Sequence, residues 1–200
     1  MEKHKKLSAP RLKSIPFLLL WMGGHILVWS LLYWMFETDI TRDLPEAVWT
    51  VVCGVVMGLG LAFMQKFLIQ YTYYAPLNGW LRVTIAGWIV GWVIFYFSIE
   101  FIEDYISSYN NNLSIMLLPL FVIPAAMQWF IMRHNARQAW LWIVAGAASA
   151  MAFGALYGEI NNNEYMQFLL GAAAQGAVTG LSLLWLYGQA RAEKVKTGTS

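Results

Sequence analysis

Residues 17–36 read FLLLWMGGHILVWSLLYWMF, twenty residues without one Lys, Arg, Asp or Glu. An α-helix rises about 1.5 Å per residue, so this run is long enough to cross the roughly 30 Å hydrocarbon layer of a bilayer. Lys3, Lys5, Lys6, Arg11 and Lys13 precede it, as they would in a secretory signal. The apolar stretch is longer than a signal's core, however, and Glu37-Thr38-Asp39 follows where a small-x-small cleavage site would stand. An uncleaved first transmembrane helix is therefore expected.

Five further runs are long and mainly apolar, with charge only near their ends, at 46–66, 79–101, 113–132, 139–156 and 166–187. They are continuous and too long for the roughly ten-residue alternating strands of a membrane barrel. Of the 200 residues 59% are hydrophobic and only 12% charged, against about a quarter charged in ordinary soluble domains. Disorder, a disulfide scaffold and a water-soluble enzyme are excluded by that balance. The expectation is an all-α membrane bundle of six helices. A basic arm (1–16) would precede the transmembrane domain (17–188), and a tail (189–200) would follow it.

Charge placement orients the chain. Twelve of the 13 Lys and Arg fall on one side of the expected bilayer, with Arg42 alone opposite. The far side holds Glu37, Asp39, Asp43, Glu46, Glu100, Glu103, Asp104, Glu159 and Glu164. Loops rich in Lys and Arg stay in the cytoplasm, so both termini are expected inside a cell membrane. The basic arm suits anionic lipid headgroups and is too short to recognise nucleic acid. The carboxylates at 100–104 read as a solvated acidic rim.

Local signals mark helix ends. Asp43-Leu-Pro-Glu46 has capping-box spacing, Asn161 and Glu164 repeat it, and Asn78 and Asn112 are candidate N-caps. Trp21, Trp49, Trp80, Trp140, Trp142 and Trp185 lie near run ends and are expected at the lipid–water interface.

An internal repeat is suggested by Met64-Gln65-Lys66-Phe67-Leu68-Ile69 and Met127-Gln128-Trp129-Phe130-Ile131-Met132, each followed by a short turn and an apolar Trp-Leu. Gly180 to Trp185 stands in the corresponding place of the last helix, with Trp185 where a Gln would be. Three helical hairpins from one ancestral unit are expected. This recurring Trp, Gln and small-residue pattern resembles uncharacterised bacterial polytopic membrane proteins built of Gly-rich helical hairpins. The chain departs from it at Lys66 and in the third unit, and the resemblance implies no activity.

Gly54 and Gly58, Gly87 and Gly91, Gly154 and Gly158, and Gly176 and Gly180 are each spaced by four. Such stripes let helix backbones approach in lipid, where no hydrophobic force drives helices together. Pro119 and Pro124 should kink the fourth span.

Candidates for chemistry are few. Cys53 is the sole cysteine, no carboxylate lies well inside a span, and Ser30 is off the face of His25. An enzyme is not expected. His25 after Gly23-Gly24 is either a hydrogen-bonded core histidine or an axial ligand to haem or a chlorophyll-type pigment. Gln65, Gln128 and Gln175 would form interhelical hydrogen bonds or line a polar pathway. The leading expectation is a non-catalytic membrane subunit that stabilises, organises or docks to a larger complex of other membrane subunits. The other is a small solute transporter, channel or substrate-capturing component.

Overall fold

A computed structural model describes residues 13–38, 44–73, 77–105, 113–134, 136–157 and 163–197. All its elements are helices: α1 (Ser14–Glu37), α2 (Glu46–Tyr73), α3 (Trp80–Tyr105), α4 (Leu113–Met116), α5 (Leu118–Met132), α6 (Leu141–Tyr157) and α7 (Glu164–Thr197). Among the described residues five helical stretches are long and apolar enough to cross a membrane, at Ser14–Glu37, Glu46–Thr72, Trp80–Ile99, Ser114–Met132 and Glu164–Ala190. The chain thus has the makings of a multi-pass membrane protein. The sixth apolar run is the shorter helix α6.

Several ends differ from the sequence reading for identifiable reasons. The run at 113–132 is two helices, interrupted at Leu117 and restarted with Pro119 in the first turn of α5. Proline has no N–H to continue the ladder, whereas Pro124 is carried inside α5 without a break. The cap of α7 is Asn163, whose Oδ1 accepts from Met166 N at 3.1 Å. Ahead of α3, Gly79 adopts φ 83°, a left-handed conformation that a side chain would oppose. The basic arm before Lys13, Asp43, residues 110–112, Gly158, Glu159 and Asn161 lie outside the described residues.

The six long helices close a ring in the order α1, α2, α3, α5, α6, α7, with α7 packed back on α1 and α4 on α6. Glycine stands at every contact in that ring. A Cβ at Gly54 would lie 2.6 Å from Ile89 Cα, and one at Gly58 2.7 Å from Ile85 Cα, so α2 and α3 meet backbone to backbone. Gly87 would meet Pro124 Cα at 2.7 Å and Gly91 the Pro119 carbonyl oxygen at 3.2 Å, on α5. Gly176 would meet Met22 Cα at 2.8 Å, Gly180 packs on Leu18 and Trp21, and Gly154 receives Ser114 of α4. The remaining contacts use glycines outside the expected stripes: Gly146 against Phe121 and Ala125, Gly171 against Phe153, and Gly24 and Gly60 against Met64 and Val28.

Two apolar clusters fill the ring. One holds Trp29, Met57, Leu61, Trp88, Phe121 and Phe153, and the other Phe17, Trp21, Leu68, Trp80, Trp142 and Leu183. The tryptophans near run ends therefore divide. Trp21, Trp80 and Trp142 are buried core residues, contrary to an interfacial place, while Trp140 and Trp185 are exposed. The fully buried rings lie on helix faces that point into the bundle, a distinction that distance from a run's end does not make.

Candidate functional site

Each ring helix carries a polar residue between its contributions to the two apolar clusters. On α1 His25 follows Trp21 and precedes Val28; on α2 Gln65 lies between Leu61 and Leu68; on α3 Thr84 lies between Trp80 and Trp88. On α5 Gln128 lies between Phe121 and Met132, on α6 Ser149 between Trp142 and Ala150, and on α7 Gln175 and Thr179 between Ala172 and Leu183. All seven are buried. The bundle is thus layered along its axis as apolar, polar and apolar.

Hydrogen bonds knit this layer. Gln128 Nε2 donates to Gln65 Oε1 at 2.8 Å and to Thr84 Oγ1 at 2.9 Å, and Gln128 Oε1 accepts from Trp142 Nε1 at 2.8 Å. One amide therefore ties α5 to α2, α3 and α6. On the other side of the ring Trp29 Nε1 donates to Gln175 Oε1 at 2.6 Å, and Trp21 Nε1 donates to Thr179 Oγ1 at 2.9 Å. The Thr179 hydroxyl in turn donates to the Gln175 carbonyl at 2.7 Å. Both of these indole bonds join α1 to α7. In hydrocarbon such groups have no water to turn to, so satisfying them inside the bundle is obligatory.

Four buried polar atoms among the described residues lack a partner, Thr72 Oγ1, Trp80 Nε1, Trp92 Nε1 and His25 Nε2, and of these His25 belongs to the polar layer. Its Nδ1 lies 2.8 Å from the carbonyl oxygen of Trp21. A carbonyl only accepts, so Nδ1 carries a proton and Nε2 is left as the free end of the ring. That Nε2 is buried with no protein partner. His25 borders a cavity of about 20 Å³, together with Gln65, Gln128, Ser149, Gln175 and Thr179 and the aromatic rings of Trp88, Phe121 and Trp142. Water needs about 10–15 Å³ by the same measure, so the space matches one water molecule. A tetrapyrrole would need several hundred cubic ångströms. Ligation of haem or a pigment at His25 would thus require the helices to part. Gly23 faces open space and Gly24 faces Met64, so neither makes a slot beside the imidazole.

An apolar cluster lies on either side of the polar layer. Trp29 packs on Phe153 with ring centroids 4.8 Å apart and stacks on Phe121 at 6.1 Å, while Trp88 meets Phe121 edge-on at 6.1 Å. On the other side Trp21 and Phe17 stack at 5.5 Å above Leu183 and Leu186.

The structure therefore gathers His25, Gln65, Gln128 and Gln175 around one space, while the paired glycines serve the contacts between helices. Sequence reasoning missed Thr84, Ser149, Thr179 and the indoles of Trp21, Trp29 and Trp142. A signal existed: Trp21, His25 and Trp29 recur every four residues, as do Trp80, Thr84 and Trp88, which places each trio on one helix face. Among the described residues no three His, Cys, Asp or Glu come together. No protein-family model, curated protein or solved structure matches the chain, so function is read from these residues themselves.

Proposed function

We propose that this chain is a non-catalytic, multi-pass cell-membrane protein that binds and conducts a small polar solute through the centre of its ring. The described bundle is the closed form. It crosses the bilayer six times with both termini cytoplasmic, α6 serving as the sixth span. Its 17 residues cover about 25 Å at 1.5 Å per residue. The hydrogen-bonded turn from Ala136 to Ile143 lengthens the apolar segment at one end, and bilayers adjust to a mismatch of a few ångströms at small cost.

One observation carries this reading: a polar layer drawn from all six ring helices, set between two apolar clusters, with one histidine nitrogen left over. Polar groups at such depth are costly, and an intramembrane ionisable side chain is by default a functional-site hypothesis. Three related hairpins, α1–α2, α3–α5 and α6–α7, fit the pattern. Trp142 opening the third binds Gln128 from the end of the second, and Trp21 opening the first binds Thr179 from the end of the third. Trp80 opens the second, but its Nε1 has no partner, and Gln65 accepts from Gln128. On this alignment Thr179, and not Trp185, takes the place of the third glutamine.

Purified chain in liposomes should raise the permeability to a water-sized polar solute several-fold over protein-free liposomes. Ser149→Leu fills the cavity without removing an interhelical hydrogen bond, and it should abolish the rise. A second reading, an accessory subunit docked to other membrane proteins, is favoured by the smallness of the cavity and the near-complete internal satisfaction of the polar layer. Absence of flux, with co-purification of other membrane subunits at fixed stoichiometry, would decide for it.

A further inference from the structure

We infer that the cavity beside His25 is a binding site for one neutral hydride of water's size, held as a donor to His25 Nε2 and as an acceptor from the amide N–H of Gln65 or Gln175. The inference rests on the cavity invoked above and adds the class of its guest. His25 is fully buried, its Nδ1 is fixed on the Trp21 carbonyl, and its Nε2 meets no protein donor. Gln65 and Gln175 are engaged through Oε1, by Gln128 and Trp29 respectively, and both border the cavity, so their amide N–H groups are donors within its lining. The lining thus offers acceptors, His25 Nε2 and the Ser149 hydroxyl oxygen, beside amide donors, a set that a molecule able both to give and to accept a hydrogen bond completes.

Size and charge narrow the class. About 20 Å³ admits water or ammonia and excludes urea, glycerol and any hydrated ion. No Asp, Glu, Lys or Arg borders the space. A bare cation or anion there would lack a counter-charge in a low-dielectric interior, where lone charges are strongly disfavoured. A neutral imidazole, presenting a lone pair at Nε2, is for the same reason the form that suits the site.

The test reads the ring nitrogen directly. The full chain is labelled with ¹⁵N-histidine in lipid nanodiscs, and His25→Asn identifies the resonance against His4 and His134. A hydrogen bond from a guest moves the Nε2 signal of a neutral imidazole upfield from the position of a bare lone pair. The expected result is an upfield Nε2 that returns to the bare position in Ser149→Val, where a branched side chain occupies the space. Ammonium chloride at alkaline pH separates the two guests. A further shift identifies ammonia as a competent occupant, and an unchanged signal identifies water. A bare Nε2 in the native chain with and without ammonia overturns the inference, and so does an upfield signal that survives Ser149→Val, because the donor would then belong to the protein. Occupancy is read here and not flux, so a non-conducting protein with an upfield Nε2 would defeat conduction and leave the site standing.

Discussion

Gln128→Leu is expected to destabilise the folded bundle by about 2–5 kcal/mol, more than any other single change in the polar layer. The substitution removes three hydrogen bonds at once, to Gln65, Thr84 and Trp142. Interhelical hydrogen bonds in membrane proteins contribute about 0.6–1.7 kcal/mol each, and three of them give that range. The groups left behind are themselves buried, and each bare donor or acceptor adds to the loss. Trp142→Phe removes one of the three and should cost about a third as much. Trp80→Phe removes an indole N–H that has no partner, so it should cost only the packing lost where the smaller ring leaves space, and less than Trp142→Phe, which loses packing and a hydrogen bond together. Reversible unfolding in mixed micelles, titrated with a denaturing detergent, measures all three. A Trp80→Phe loss equal to that of Trp142→Phe would show the assigned bonds to be wrong.

The second large effect concerns backbone contact. Gly54→Ala and Gly87→Ala each place a methyl group within 3 Å of backbone, at Ile89 Cα and Pro124 Cα. Backbone cannot rotate away as a flexible side chain does, so the helices must separate. Overpacking of this kind costs about 1–3 kcal/mol, which outweighs the roughly 1 kcal/mol that alanine gains over glycine in a helix. Gly23→Ala and Gly188→Ala meet nothing within 4 Å. They should show the propensity gain alone and raise stability by up to about 1 kcal/mol. The same alanine substitution thus carries opposite signs at positions that composition cannot tell apart. Equal effects at Gly23 and Gly54 would mean that α2 and α3 do not touch as described.

These contrasts show how much of the molecule is legible from residues alone. Helical character and the approximate spans follow from run length and the absence of charge, because the bilayer's thickness and its lack of hydrogen-bonding partners leave little choice. Side-chain direction does not follow, because the helices are apolar nearly all round and hydrophobic periodicity fades when the solvent is itself apolar. Trp21, Trp80 and Trp142 were consequently expected at the lipid surface, yet they are buried and two of them donate across the ring. His25 and the three glutamines stood out because polar residues are scarce in such runs. Thr84, Ser149 and Thr179 did not, since hydroxyls commonly bond back to their own helix, as Ser149 Oγ does to the Ala145 carbonyl at 2.7 Å. Gly146 continues the four-residue spacing of Ala150 and Gly154, whereas Gly171 belongs to no spaced pair and only the fold reveals its partner.

The closed ring stands or falls on α6, the one apolar run whose helix is shorter than a membrane span among the described residues. In a Cys53→Ala background, single cysteines at the exposed positions Gln138 and Glu164 bracket that helix. A membrane-impermeant maleimide applied to sealed vesicles of each orientation should label Gln138→Cys only from the face that carries the amino terminus, and Glu164→Cys only from the opposite face. Labelling of both from one face would mean that α6 does not cross, and the six-helix ring with its polar centre could not exist in the bilayer.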